Sequence, residues 1–142
     1  RTKLAANLEE GAIYHDNIKS LFNNSEFLSI NCPATKETTN LVNEQSINYL
    51  PDGAVVTNAA RGDIIDDNAM IKAMKSGKVF ALGLDVYNGE PKINPEYLKL
   101  NNLFLLPHLG SATFRTRIDM GNRAIDNLEN FFNNKRPKDQ VN

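Results

Sequence analysis

Three residues of this chain have the types and settings needed to hold an anionic substrate and move a proton. Arg61 stands in Asn58-Ala59-Ala60-Arg61-Gly62, and His108 in Pro107-His108-Leu109-Gly110-Ser111-Ala112. Glu90 closes a stretch that opens with Gly83-Leu84-Asp85-Val86, and Pro91 follows it. A guanidinium can grip a carboxylate through two parallel hydrogen bonds and polarise the adjacent carbonyl, a fork that lysine cannot reproduce. Imidazole titrates near neutral pH, so it can supply a proton and take it back in the reverse direction. A carboxylate beside it favours the imidazolium and fixes the ring's tautomer. Each of the three segments follows a short apolar run that reads as a buried strand. In a parallel α/β sheet the carboxyl ends of the strands are where ligands bind. Arg61, Glu90 and His108 are therefore expected at one edge of one sheet. His15 lacks such surroundings and reads as a surface residue.

The elements that must position these residues alternate short apolar runs with amphipathic stretches. Ala12-Ile13-Tyr14 reads as a brief strand, followed by a helix from about Asp16 to Asn23 and a strand from Phe27 to Asn31, ending at Cys32-Pro33. A polar loop with Thr35, Thr38 and Thr39 leads to a short helix around Glu44 to Tyr49. Pro51-Asp52-Gly53 is a turn signal before the strand Ala54 to Asn58. Asp66 or Asp67 can cap a helix running to Ser76, which Gly77 stops. Val79 to Leu84 and Leu103 to Leu106 complete the strands. Continuous apolar strands alternating with helices predict a parallel sheet covered on both faces. Phe114, Ile118, Gly121, Ile125, Leu128 and Phe132 recur at helical spacing and predict a long last helix, ended by Lys135-Arg136-Pro137.

At 142 residues the chain has the size of one domain with a real core. A formal net charge of −1 argues for neither a nucleic-acid nor an anionic-membrane partner. No apolar run approaches the roughly 20 residues that span a bilayer, and the N-terminus lacks the shape of a signal peptide. Cys32 is the single cysteine, which excludes an internal disulfide and fits a reducing, cytoplasmic compartment. No cluster of His or Cys has metal-ligand spacing, and the acidic run Asp63 to Asp67 reads as helix capping and solvated charge, so no metal site is expected.

Taken together, the three motifs resemble the D-2-hydroxyacid dehydrogenase family, and within it the glyoxylate/hydroxypyruvate reductases. That family carries Arg-Gly after one strand, Asp-Val with Glu-Pro after the next, and Pro-His with Gly-Ser-Ala after a third, in the order found here. The resemblance covers essentially the whole chain. It implies a Rossmann-like α/β parallel sheet, the second half of a dinucleotide-binding domain, with a long C-terminal helix. Residues 1–112 would be the C-terminal part of the NAD(P)-binding domain. Residues 113–142 would form a closing helix and tail packing toward a substrate domain. A dinucleotide fold opens with a glycine-rich turn that holds the pyrophosphate, and no G-x-G-x-x-G occurs in these residues. The chain is therefore expected to be a fragment, inactive alone.

The resemblance also assigns roles. His108 would donate the proton when a 2-oxo acid is reduced, Glu90 would support it, and Arg61 would orient and polarise the substrate, with Ser111 beside it. Asp85 would hydrogen-bond the nicotinamide carboxamide, though a turn or cap aspartate is the plainer reading. Cys32 and Pro33 would touch the adenosine portion of the cofactor, although Cys32 could equally be a small buried hydrophobe. Thr38, Gly110 and the small Ala59 and Ala60 are further cofactor contacts. Arg1 and Thr2, placed where NAD-preferring members carry an acidic residue, would suit a 2′-phosphate and favour NADP over NAD. Taken alone, Glu90 reads as a solvated loop residue and Arg61 as a surface arginine paired with Asp63 or Asp66. The implied activity is NAD(P)H-dependent reduction of glyoxylate or hydroxypyruvate, by a homodimer. Phosphoglycerate or D-lactate dehydrogenase chemistry, or a dinucleotide-sensing corepressor of the same fold, are the alternatives.

Overall fold

The computed structural model describes residues 3–141, which fall into two compact units divided between Leu106 and Pro107. The first is built on four parallel strands in the order β1 (Phe27–Ile30), β2 (Ala54–Asn58), β3 (Val79–Leu84) and β4 (Leu103–Leu105). Ile30 stands beside Asn58, Asn58 beside Leu84, and Leu84 beside Leu105. All four strands therefore leave the sheet along one edge, where the sequence places the three motifs.

Local side chains fix where the helices begin. Asn17 accepts the Ser20 N–H at the start of α1 (Ile18–Asn23). Asn43 and Ser46 cap α2 (Glu44–Ile47) reciprocally. Of the two aspartates offered for α3 (Asp67–Ser76), Asp66 is the cap, accepting from the Asn68 and Ala69 amides. Each cap satisfies N–H groups that a helix start leaves without a partner. Gly77, at φ 80°, ends α3 in the left-handed region. Phe22 of α1, Ile47 of α2, and Met70 and Met74 of α3 meet Leu28, Ile30, Val56, Leu82 and Leu84 of the sheet in one buried cluster.

The other sheet face is not covered within this unit, contrary to the sequence expectation. Phe27 is 78% and Phe104 66% exposed, and Ser29 and Thr57 also face solvent. The cause is topological. Crossovers between parallel strands are right-handed, so a strand order that advances in one direction stacks its helices on one face. A doubly wound sheet gains its second helical layer only where the order reverses, and β1-β2-β3-β4 never reverses. Ala12-Ile13-Tyr14 likewise forms no strand, and Ile13 is 82% exposed. A three-residue strand needs a neighbour's ladder, and β1 pairs with β2 alone.

A turn of 3₁₀ helix at Tyr97–Lys99, absent from the sequence reading, buries Tyr97 to 2% exposure. The Tyr97 hydroxyl donates to Asp67 Oδ1 at 3.1 Å. Burial holds the Asp67 carboxyl above its ordinary range, and the Tyr97 hydrogen bond opposes that rise. A carboxyl raised in the folded state binds more protons folded than unfolded, so its contribution to stability declines as pH rises through the window above the unfolded value. Without the hydroxyl that decline steepens. Tyr97→Phe is expected to destabilise by about 1–2 kcal/mol, with a larger deficit at pH 7 than at pH 4. Thermal unfolding followed by circular dichroism at the two pH values checks this; an equal or reversed deficit would contradict it.

The second unit holds α4 (Phe114–Phe132), whose start Thr113 caps by accepting the Thr116 N–H. The polar tail folds back onto it, with Arg123 gripping Asp139 through bonds of 2.6 and 2.7 Å and Asn127 adding a third. Those two donors hold the Asp139 carboxyl well below the usual carboxylate range. The apolar stripe read from the sequence is present, and no residue of α4 is buried. Among the described residues no helix is long and apolar enough to cross a membrane.

Candidate functional site

The Arg61 loop is set by a buried amide. Asn58, the last residue of β2, is 1% exposed. Its Nδ2 donates to the Arg61 carbonyl at 2.8 Å, its Oδ1 accepts the Ala60 N–H at 3.0 Å, and its own carbonyl accepts the Asp85 N–H at 3.0 Å. A buried side chain with these bonds made is rigid. It fixes the turn from which the exposed Arg61 side chain projects, its Nη1 donating to the Ala60 carbonyl at 2.6 Å.

The loop after β3 is organised around Tyr87. Its backbone N–H donates to Glu90 Oε1 at 2.9 Å, and its hydroxyl donates to the Leu106 carbonyl. Glu90, read alone as a solvated loop residue, is thus tied to the backbone of its own loop. Burial, followed by the negative charges of Asp85 and Glu90, pushes the Tyr87 phenol above its ordinary value, so it remains a donor at neutral pH. Leu106 is held a second time, its N–H donating to the Leu84 carbonyl at 2.8 Å. The chain enters Pro107-His108 from that doubly bound residue.

Between these strand ends lies a crevice of about 170 Å³, lined among others by Thr57, Ala59, Gly83, Asp85, Phe104 and Leu106. It is mostly apolar, with the half-buried Asp85 as its carboxylate. Such a space suits a flat heteroaromatic ring carrying one hydrogen-bonding substituent.

Further along the same edge, beyond β1, Cys32 is half-buried against the core, and it borders a groove of about 520 Å³ together with Tyr14, Ile18, Ile30 and Val42. Thr38 donates to the Pro33 carbonyl at 2.7 Å and accepts the Thr35 N–H at 2.8 Å. Its loop is pinned to the residues after Arg61 by Asn40 N–H to the Asp63 carbonyl at 2.9 Å and Val42 N–H to the Ile64 carbonyl at 3.0 Å. In the second unit, His108 and Gly110 are exposed and Ser111 half-buried, and the Ala112 N–H donates to the Leu109 carbonyl at 2.9 Å. His108 has φ 57°, a left-handed conformation uncommon outside glycine.

The first unit therefore brings the Asn58–Gly62 loop, Asp85 and Glu90 together, with Cys32, Pro33 and Thr38 further along the strand order. His108, Gly110 and Ser111 belong to the second unit, and Arg1 and Thr2 lie outside the described residues. His15 is half-buried, with its Nδ1 2.8 Å from the Ser20 hydroxyl. Two positioning side chains escape the sequence reading. Asn58 carries a usable signal, a polar residue ending a continuous apolar run. Tyr87 carries none, because an aromatic after Asp85-Val86 reads as ordinary core.

The family description "D-isomer specific 2-hydroxyacid dehydrogenase, NAD binding domain" matches residues 1–110. A glycerate dehydrogenase of Hyphomicrobium methylovorum is 43% identical over 121 residues, which are 85% of this chain and 38% of that protein. A D-isomer specific 2-hydroxyacid dehydrogenase structure from Polaromonas sp. JS6 66 superposes with a TM-score of 0.95 at 44% identity, covering 100% of this chain and 44% of that one. The NADPH-dependent glyoxylate/hydroxypyruvate reductase of Sinorhizobium meliloti, solved with NADP and malonate, gives a TM-score of 0.83 at 32% identity, over 86% of this chain and 38% of that one. The chain thus spans roughly two fifths of the length of these relatives. With the parallel strand ends, their three motifs and this similarity in agreement, the chain belongs to the D-isomer specific 2-hydroxyacid dehydrogenases, through their NAD-binding domain.

Proposed function

We propose that the protein reduces a small 2-oxo acid, glyoxylate or hydroxypyruvate, to the 2-hydroxy acid with NADPH or NADH. The observation that carries this reading is the fixed edge at which the Arg61 loop, the Glu90 loop and the exit of β4 toward His108 are hydrogen-bonded or packed against one another. The crevice beside Asp85 would take the nicotinamide ring, with Asp85 as the residue that bonds its carboxamide and the small Ala59 and Gly83 leaving room for close approach. When bound, the reduced cofactor supplies the hydride. The chain's own residues hold and protonate the substrate. Arg61 grips the substrate carboxylate and draws density from the adjacent carbonyl. His108 gives its proton to the oxygen as negative charge develops there, and Glu90 stabilises the protonated ring. Ser111 lies in the same segment as His108 and adds a substrate contact. Cys32, Pro33, Thr38, Ala60 and Gly110 extend the cofactor surface along the strand ends. NADP(H) is the cofactor favoured by Arg1 and Thr2, and a homodimer is the expected assembly.

The test is oxidation of NADPH and of NADH by the intact protein with glyoxylate and with hydroxypyruvate. Turnover of either acid supports the reading, and the ratio of the cofactors decides what Arg1 and Thr2 do. Failure with both acids in a folded, cofactor-binding protein would overturn it. Arg61→Lys keeps a charge but loses the planar fork, so KM for the 2-oxo acid is expected to rise about 10- to 100-fold. An unchanged KM would remove Arg61 from the substrate.

A further inference from the structure

Tyr87 touches the shoulder of every segment that the proposed chemistry needs, through a different group each time. Its backbone N–H is taken by Glu90 Oε1 at 2.9 Å. Its hydroxyl is given to the carbonyl of Leu106, two residues before His108. Its own carbonyl lies so close over Gly62, the residue after Arg61, that a Cβ added there would fall 2.1 Å from the oxygen. We propose that Tyr87 is a positioning residue that holds the Arg61 loop, the Glu90 loop and the end of β4 in register with one another.

The physical case rests on geometry. Glu90 and Arg61 both have exposed side chains, so neither is oriented by core packing. The Glu90 carboxylate is held instead by the Tyr87 N–H, and Gly62, which follows Arg61, lies against the Tyr87 backbone, Tyr87 itself being partly buried and packed against the core. The third link is the one a side chain controls. Leu106 lies just beyond β4, which has three residues. Its carbonyl accepts the Tyr87 phenol, and its N–H reaches the Leu84 carbonyl at 2.8 Å. With both backbone groups of Leu106 held, the end of β4 is fixed within the first unit, two residues before His108 in the sequence. Loss of the phenol would leave that carbonyl without the donor and let the exit pivot on its remaining bond. Proton transfer depends steeply on such placement, since an error near 1 Å in a reacting group lowers the rate by roughly a hundredfold.

The variant that isolates this link is Tyr87→Phe, which keeps the ring in its packing and removes only the donor. Tyr97→Phe is the matched control, a buried hydroxyl bonded to Asp67 and to none of the three segments. Two readouts are taken on the intact protein. In the first, which relies on the 2-oxo acid reductase reading, Tyr87→Phe is expected to lower kcat about tenfold while leaving KM within about twofold, and Tyr97→Phe to leave both near wild type. In the second, which needs no activity, hydrogen exchange in the peptide spanning residues 103–110 is expected to accelerate in Tyr87→Phe beyond any change that Tyr97→Phe produces through lowered global stability. Unchanged exchange overturns the proposal, and so does a fall in kcat no larger than that of Tyr97→Phe. If the wild-type protein reduces no 2-oxo acid, the functional reading falls and exchange alone decides the role of Tyr87. Acceleration then supports it, and protection equal to wild type overturns it.

Discussion

Gly62→Ala is expected to unfold the Arg61 loop and lower stability by about 3 kcal/mol or more. No positive φ is involved, and the argument is one of space. A Cβ at this position would sit 2.0 Å from the Tyr87 carbonyl carbon, 2.1 Å from its oxygen and 2.3 Å from the Asn88 nitrogen. Those atoms are backbone, so no rotamer change relieves the overlap. The chain leading into that peptide is held by the Asp85 N–H bonded to Asn58 and by the Tyr87 N–H bonded to Glu90. Either the Arg61 turn or the Glu90 loop must move by more than 1 Å, and both carry the proposed chemistry. Thermal unfolding should show a midpoint lower by about 10 °C, and any protein that remains folded should have lost most of its turnover. A midpoint within about 2 °C of wild type would mean that the two loops slide apart freely, which would also weaken the role assigned to Tyr87.

This close approach is the kind of fact that a sequence conceals. Arg61-Gly62 is legible as a motif, yet nothing in the order of residues says that Tyr87, twenty-five positions later, closes over the glycine. The strands are legible for a physical reason. Ala54-Val55-Val56-Thr57 and Val79-Phe80-Ala81-Leu82 are continuous apolar or β-branched runs, and a run of that length has few other ways to hide from water. The caps at Asn17, Asn43 and Asp66 are local, and local chemistry is readable. What fails is the inference from an element to its neighbours. Ala12-Ile13-Tyr14 has the composition of a strand and no ladder to join, and the sheet's second face has apolar residues such as Phe27 and Phe104 and no helix from this unit to cover them. Both misreadings have one source. Apolar pattern reports that a surface is to be buried, and topology decides what buries it.

The candidate site divides in the same way. Residues that carry reactive groups announce themselves by type and by neighbours, as Arg61, Glu90 and His108 do. Residues that place them are ordinary. The Asn58 amide and the Tyr87 phenol face no substrate in this reading. They differ from the reactive groups in being buried or partly so and in having their hydrogen bonds directed at backbone, that of the adjoining turn for Asn58 and that of Leu106 for Tyr87. Rigidity of that sort lets exposed groups act without reorganising when charge develops.

His108→Asn is expected to lower kcat by about two to four orders of magnitude, the range that a positioned general acid contributes. Asparagine is chosen over alanine because His108 has φ 57°, and asparagine is among the few side chains that tolerate the left-handed region. The backbone of Pro107-His108-Leu109 is then kept while the imidazole is removed. The carboxamide can hydrogen-bond the substrate oxygen but has no proton to give, so the alkoxide must take one from water. Binding of NADPH should remain within about twofold of wild type, because the loss is confined to the transition state. Added imidazole should restore part of the lost rate if the cavity left by the ring admits it. Turnover within about tenfold of wild type would mean that the proton comes from elsewhere, since a positioned acid contributes more than that. The left-handed turn at His108 would then need an explanation in folding rather than in catalysis.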